Sequence, residues 1–482
     1  MTGVSIRRGF ILIFLCATTL VQGQLITVDT SVTFQTIQGW ECGTELAVMP
    51  DENIGTDTAI QYVKDEVAQL MVDSMGVTRV RLEVRSGSEN PRDTWQELMN
   101  GQIDYEDWQG LRYSAVNDNA TPASLNWNGF HFSELDVKIH NAVLPLLKQL
   151  EKNGGELYVN LCYVSFLEDH QVEGFLHRDP NEYAEFMLAV FQHMERTFGF
   201  VPDGVEVILE PGLAQFGDGR IVGECMVAAG EVLEKHGYAP EFIAPSSTNL
   251  IAAASPNMVG RFLDVDGVEK YWSEYSYHAY GGRTEENLIK IADIAARYDV
   301  RTAMLEWWNP GNTFFRLHAD LTKGNNSAWE FRFSPLAPAS TQYGNFAIDW
   351  NGKDDYQIDM RSHTKYISEY FRAIRPGAVR VSAVSDQEVA NPVTFVNPDG
   401  RLVLIIAMTQ KGKVRVKNLP PGRYAVTYTT GNGYAEPIEY RHRFSTPTIR
   451  AGKLLRASIP DQGLIVISQE PAWSSTEDSG RK

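Results

Sequence analysis

The sequence predicts an α/β fold, a (β/α)8 barrel of the TIM type carrying an appended β-sandwich side domain, and three observations predict it. Helix-like segments with apolar residues three or four apart alternate with short β-rich runs through most of the chain. Two of those runs end on a glutamate, and beyond residue 376 the helical period gives way to short alternating runs separated by turn signals.

In chain order, residues 1–23 read as a signal peptide. Arg7 and Arg8 precede the apolar run "FILIFLCATTLV", and "VQGQ" offers small or aliphatic residues for cleavage before Gln24. The apolar run is about 12 residues long, short of the roughly 20 that a spanning helix needs, and no later stretch is long and apolar enough. A soluble exported protein with no transmembrane segment is therefore expected, secreted to the extracellular space or the periplasm. Residues 24–36, "QLITVDTSVTFQT", are strand-like and expected to join the β-sandwich.

The barrel is expected over residues 37–376. "TAIQYVKDEVAQLMVDSMG" leads to "VTRVRLEV", "ELDVKIHNAVLPLLKQLEKNGG" to "ELYVNLCYV", and "EYAEFMLAVFQHMERTFG" to "GVEVILEPG". "VGECMVAAGEVLEKHG" leads to "EFIAPSS" and "EENLIKIADIAARYDV" to "RTAMLEWWN", with the strand-like "YWSEYSYHAYGG" between those two pairs. About eight strand candidates over roughly 340 residues favour a closed parallel barrel over an open sheet. Residues 377–470 carry "VRVSAV", "PVTFV", "RLVLIIAM", "RYAVTYTT" and "GLIVIS", divided by "NPDG" and "PPG", and read as the sandwich. Residues 471–482 read as a flexible tail.

Composition narrows the function. With 61 acidic against 43 basic residues and a formal charge of −18, the chain is a poor partner for a phosphate backbone, so no nucleic acid is expected. Outside the signal segment the cysteines are Cys42, Cys162 and Cys225, which allow at most one disulfide and read as buried thiols. No HExxH and no phosphate loop occurs, so neither a metal nor an organic cofactor is expected. A monomer is expected.

Active sites of (β/α)8 barrels lie at the C-terminal ends of the strands. Glu210 closes "VEVILE" ahead of Pro211, and Glu306 closes "RTAMLE" ahead of Trp307 and Trp308, on what count as the fourth and seventh strands. Paired carboxylates beside aromatic rings are what glycoside hydrolysis requires, one to protonate the leaving oxygen and one to attack or to activate water. In "VTRVRLEV" the two-residue period puts Arg79, Arg81 and Glu83 on one strand face and the apolar residues on the other, so a guanidinium can hold the nucleophile ionised. His278 and Tyr280 share a face as hydrogen-bond donors near the site, and Trp40, Trp307 and Trp308 are expected to bind the substrate or support the pair.

At these residues the chain resembles glycoside hydrolase family 30, within the clan of retaining β-glycosidases. The pieces that carry the resemblance are "QTIQGWECG" with Trp40, "RVRLEV", "LEPG", "YHAYG", "LEWWN" and "ISEYFRAIRPGAVRVSA", and it runs from about Phe34 to Gln469. It implies a side β-sandwich built from both termini. It also implies a retaining double displacement with Glu210 as general acid/base and Glu306 as nucleophile, supported by Arg81 and Tyr280. The substrate class would be an oligosaccharide, a polysaccharide or a glycoconjugate. The chain departs from the family at Leu209, where an asparagine usually contacts the sugar 2-hydroxyl; Asn160 on the third strand is the candidate substitute donor. The alternative from a different class is a non-catalytic carbohydrate-binding protein on a glycosidase-like barrel.

Overall fold

The computed structural model describes residues 23–45, 56–122, 124–166, 177–214, 216–307, 313–331, 334–433 and 435–471. The signal segment up to residue 22, Trp308 and the tail from residue 472 lie outside the described residues. Among the described residues no helix is long and apolar enough to cross a membrane.

Eight parallel strands close into a barrel. In order they are Gly39–Gly43, Arg79–Arg85, Tyr158–Val164, Gly204–Glu206, Glu241–Ser247, Trp272–His278, Arg301–Glu306 and Asn326–Glu330, and the last pairs with the first. Helices connect them on the outside, and their local chemistry explains where they begin and end. The helix Pro180–Phe198 starts at Asp179, whose carboxylate accepts from the Asn181 amide, and has proline in its first turn. Its buried face includes Tyr183, Phe186, Met187, Val190 and Met194 at helical spacing, and Gly199 ends it at φ 76°.

The second strand is buried along its whole length. Val80, Leu82 and Val84 belong to the apolar core, whereas Arg79 and Arg81 lie inside the barrel among carboxylates. A charged interior survives only because each guanidinium is paired there.

The fourth strand is shorter than its sequence suggests. Its ladder ends at Glu206, which pairs with Cys162 and Ile243, and Glu210 lies four residues beyond it. Residues 207–210 still bond to both neighbouring strands, from Val207 N to Ile243 O (3.0 Å) and from Leu209 N to Tyr163 O (2.9 Å). The regular register breaks there because the chain is already turning toward the mouth.

The second body is a ten-stranded sheet wrapped around its own core of Ile26, Val28, Leu404, Ile406, Val426 and Ile467, among others. The strand Gln24–Thr36 runs inside it, antiparallel to Val379–Ser385 and parallel to Gly412–Lys417. Between the barrel and this sandwich, a hairpin of Phe346–Gly352 and Asp355–Met360 and the helix Ser362–Ala373 follow the eighth barrel strand.

Candidate active site

The barrel interior is organised in charged tiers. Deepest is Arg79, bonded to Glu41 and held by both oxygens of Glu274 at 2.9 and 2.7 Å. Asn160 donates from Nδ2 to Glu41 (3.2 Å) and to Glu206 (3.1 Å). Its amide protons are thus committed below the mouth, and the expectation that it substitutes as a donor to a sugar is corrected: Asn160 braces the barrel floor.

Arg81 forms the next tier. Its Nη2 lies 2.7 Å from Glu306 Oε2 and 3.4 Å from Glu83 Oε1; its Nη1 lies 3.0 Å from Glu330 Oε2 and donates to Leu305 O at 3.0 Å. Burial pushes the Glu330 carboxyl well above its ordinary range, with only partial relief from Arg81 and further opposition from Glu41, Glu306 and Glu206.

At the mouth stand the two carboxylates singled out by sequence. Burial alone would raise the Glu306 carboxyl, but Arg81, His278 and the hydroxyl of Tyr280 outweigh it and hold it below the ordinary range. Tyr280 donates to Glu306 Oε1 at 2.5 Å, and burial together with Glu306 keeps its own proton in place. Glu210 Oε1 pairs with His278 Nδ1 at 2.8 Å. Burial would push His278 down, but Glu306, Glu206 and Glu210 raise it to about 10. Beneath it Glu206, which burial would raise, is held at about 2 by His278, Arg81 and Ser246. Glu206 Oε1 and His278 Nε2 face each other at 3.8 Å.

The backbone at Glu210 is bent to serve this arrangement. Its φ of 50° lies in the left-handed region, as does that of Ser246 (49°) on the neighbouring strand. Each costs a non-glycine residue about 1 kcal/mol or more. The bonds from Glu210 N to Ser246 O (3.1 Å) and from Leu213 N to Glu210 O (2.8 Å) fix the turn.

One oxygen each from Glu210 and Glu306 and one ring nitrogen of His278 lie within 4.8 Å of one another, the span a metal ion could bridge. The imidazole is held protonated by its carboxylate neighbours, and a protonated ring has no lone pair for a metal. The group fits proton transfer and attack better than metal ligation.

The structure therefore brings Glu210, Glu306, Arg81, His278 and Tyr280 together. Trp307 joins them, 5.8 Å from the Tyr280 ring and under the Arg316 guanidinium at 3.7 Å. Trp40 is not brought in: it is fully buried, stacks on Phe371 at 4.6 Å and donates its indole N–H to Ile374 O at 2.5 Å. It is a core residue on the outer side of the barrel wall. Leu209 packs with Tyr113, Cys162 and Val164 as an apolar patch beside Glu210. Cys42, Cys162 and Cys225 are free and buried. Sequence reading missed Glu206 and Glu330. Both were detectable, Glu206 on the same alternating face as Glu210 within "VEVILE", and Glu330 as another strand-ending glutamate.

No family model matches the sequence, and no curated protein is similar to it in sequence. Solved structures are similar in fold. The catalytic domain of GH30 xylanase C from Talaromyces cellulolyticus superposes with a TM-score of 0.66 at 15% identity, covering 92% of this chain and 100% of that one. A conserved exported protein from Bacteroides fragilis gives 0.64 at 12% identity over 92% and 100%. The endo-β1,6-glucanase BT3312 gives 0.60 at 14% identity over 92% and 94%. The chain thus has the barrel-and-sandwich fold seen in glycoside hydrolase family 30 structures, at 12–15% sequence identity.

Proposed function

We propose that this chain is an exported glycoside hydrolase that cleaves β-glycosidic bonds with retention of configuration, Glu306 acting as nucleophile and Glu210 as general acid/base. The observation that carries the reading is the pair itself. Two buried carboxylates face each other across the barrel mouth with oxygens no more than 4.8 Å apart, and their partners differ. Retaining enzymes keep their carboxyl groups about 5 to 5.5 Å apart, whereas inverting ones leave roughly 6.5 to 9.5 Å for a water. The short span supports direct attack.

The partners support the division of labour. Glu306 is held ionised by Arg81 and Tyr280, as a nucleophile requires, and both its oxygens are oriented. Attack on the anomeric carbon breaks the glycosidic bond while Glu210 delivers a proton to the leaving oxygen. In the second step Glu210 takes a proton from water, which displaces Glu306 from the sugar. His278 bonds Glu210 through both steps and positions its carboxyl. Tyr280 and Trp307 supply ring surface for the sugar.

The test is a screen of aryl β-glycosides and polysaccharides, with the anomeric proton of the first-formed product followed by NMR. The β anomer is expected to appear first. Prompt formation of the α anomer would remove the retaining assignment. Saturable binding without turnover of any substrate would favour the carbohydrate-binding alternative.

A further inference from the structure

A third carboxyl group lies beside the catalytic pair. Glu83 is on the same inward face of the second strand as Arg81, two residues further on, and is 7% exposed. Its Oε1 faces Arg81 Nη2 at 3.4 Å, and that same nitrogen donates to Glu306 Oε2 at 2.7 Å. The other end of the guanidinium is anchored, since Nη1 donates to Leu305 O and lies beside Glu330 Oε2, each at 3.0 Å. One nitrogen thus serves two carboxyl groups unequally. A charge-assisted bond of this kind settles at about 2.7 to 2.9 Å. Glu306 has one and Glu83 does not.

The surroundings of Glu83 account for the difference. Around it stand Arg85 on its own strand, Glu45 beyond the first strand, Glu134 and Lys138 on the helix Ser133–Lys138, and Cys162, its register partner on the third strand. Lys138 Nζ lies 2.9 Å from Glu45 Oε1 and 3.1 Å from Glu134 Oε1. Arg85 pairs with Glu134 and lies 3.5 Å from Glu45 Oε2, but 3.8 Å from Glu83 Oε2. Both cations are therefore engaged by the other two carboxylates. Lys138 does reach Glu83, yet it donates to the backbone oxygen, at 3.2 Å. Burial, and after it Glu45, push the Glu83 carboxyl up to about 7 against the pull of Arg81, Lys138 and Arg85. Burial also raises the Cys162 thiol, which stays neutral.

We propose that Glu83 positions the nucleophile by competing with Glu306 for Arg81 Nη2: a neutral Glu83 leaves that nitrogen to Glu306, and an ionised Glu83 draws it away. The inference rests on the glycosidase reading and gives Glu83 no contact with the substrate. With Nη1 anchored, a shift of Nη2 toward Glu83 lengthens its bond to Glu306. Loss of the Glu83 proton then weakens the support of the attacking carboxylate, and activity acquires an alkaline limb that does not come from the acid/base. His278 keeps its proton to about 10 and does not titrate in the same range.

The test uses a 2,4-dinitrophenyl β-glycoside, whose leaving group needs no proton, so that Glu210 has no part in the pH dependence of kcat/KM. Wild-type kcat/KM is expected to fall about tenfold from pH 6 to pH 9, centred on the Glu83 value of about 7. Glu83→Gln should match the wild type within about threefold at pH 6 and stay level to pH 9. Glu45→Gln keeps Glu83 and removes a neighbouring negative charge, so its midpoint should move toward acid; it also covers the case in which Glu83→Gln fails to fold. A level wild-type profile, a fall that persists in Glu83→Gln, or an unmoved midpoint in Glu45→Gln would each overturn the proposal and leave the proposed function standing. Absence of turnover on every glycoside would remove the proposed function and this inference with it.

Discussion

Replacing Glu306 by glutamine removes the group that Arg81 and Tyr280 hold ionised. Turnover of every substrate is expected to fall on the order of 10⁴-fold or more. Glu210→Ala should differ by substrate: aryl glycosides whose leaving group needs no proton keep the first step, while poor leaving groups lose about 10²- to 10⁴-fold. Azide should rescue Glu210→Ala and give the β-glycosyl azide. Rescue of Glu306→Ala alone, with an α product, would strip Glu210 of its proposed role. His278 makes a separate prediction about pH. Its folded value of about 10 stands above the ordinary 6.5, so the folded state keeps a proton that the unfolded chain loses. The resulting stability is complete below pH 6.5 and is lost as pH rises to about 10. Urea midpoints of the wild type should fall across that window more steeply than those of His278→Gln; equal slopes would show that the ring is neutral. Glu210 and Glu306 were legible as a pair because each closes an apolar run in the sequence, although only Glu306 ends its strand and Glu210 lies beyond the fourth ladder. Trp40 was misread, although the alternation that sends Glu41 into the barrel sends Trp40 outward. Asn160 does point inward, and only its depth, which sequence does not encode, separates it from the mouth.

At the level of elements, the helices were readable and their joints less so. The segment "TAIQYVKDEVAQLMVDSMG" has the expected apolar period, yet its last turns, Leu70–Met75, widen to a π-helix before Gly76. Gly76 has φ 98°, and a Cβ there would meet the backbone carbon of Phe371 at 2.6 Å. The glycine therefore serves two ends, a left-handed cap and close approach to the helix Ser362–Ala373. Gly199 caps its helix at φ 76° with nothing within 4 Å. Alanine at Gly199 should cost about 1 kcal/mol for the backbone alone. Alanine at Gly76 should cost about 2 to 4 kcal/mol, because overpacking adds to the same strain. Denaturant titration of the two variants measures the difference, and equal losses would mean the helices separate freely at Gly76. Loops escaped prediction for a different reason. The hairpin Phe346–Gly352 and Asp355–Met360 does alternate, with Tyr356, Ile358 and Met360 half-buried between exposed Asp355, Gln357 and Asp359, but it lies in the connection after the eighth barrel strand, where the barrel pattern calls for a helix.

The whole molecule is joined through its own entry and exit. The strand Gln24–Thr36 lies between two sandwich strands, and the chain then passes directly into the first barrel strand. Where it leaves the barrel it crosses the same point: Ile37 N donates to Ala378 O at 2.8 Å, and Gly377 N to Ile37 O at 2.7 Å. Arg380 fastens the crossing, donating to Gln35 Oε1 and Asn325 Oδ1 at 2.6 Å each. The sandwich core needs Ile26 and Val28 from the first strand, while the barrel loses its anchored start if that strand has no partners. Neither body is then complete alone, and a single cooperative unfolding transition is expected. A chain ending at Gly377 should lack near-ultraviolet circular dichroism and melt without a sharp transition, and a chain starting at Ile37 should lose the sandwich in the same way. If the shortened barrel instead melts cooperatively and keeps its near-ultraviolet signal, the crossing at Ile37 and Ala378 is a tether between independent domains.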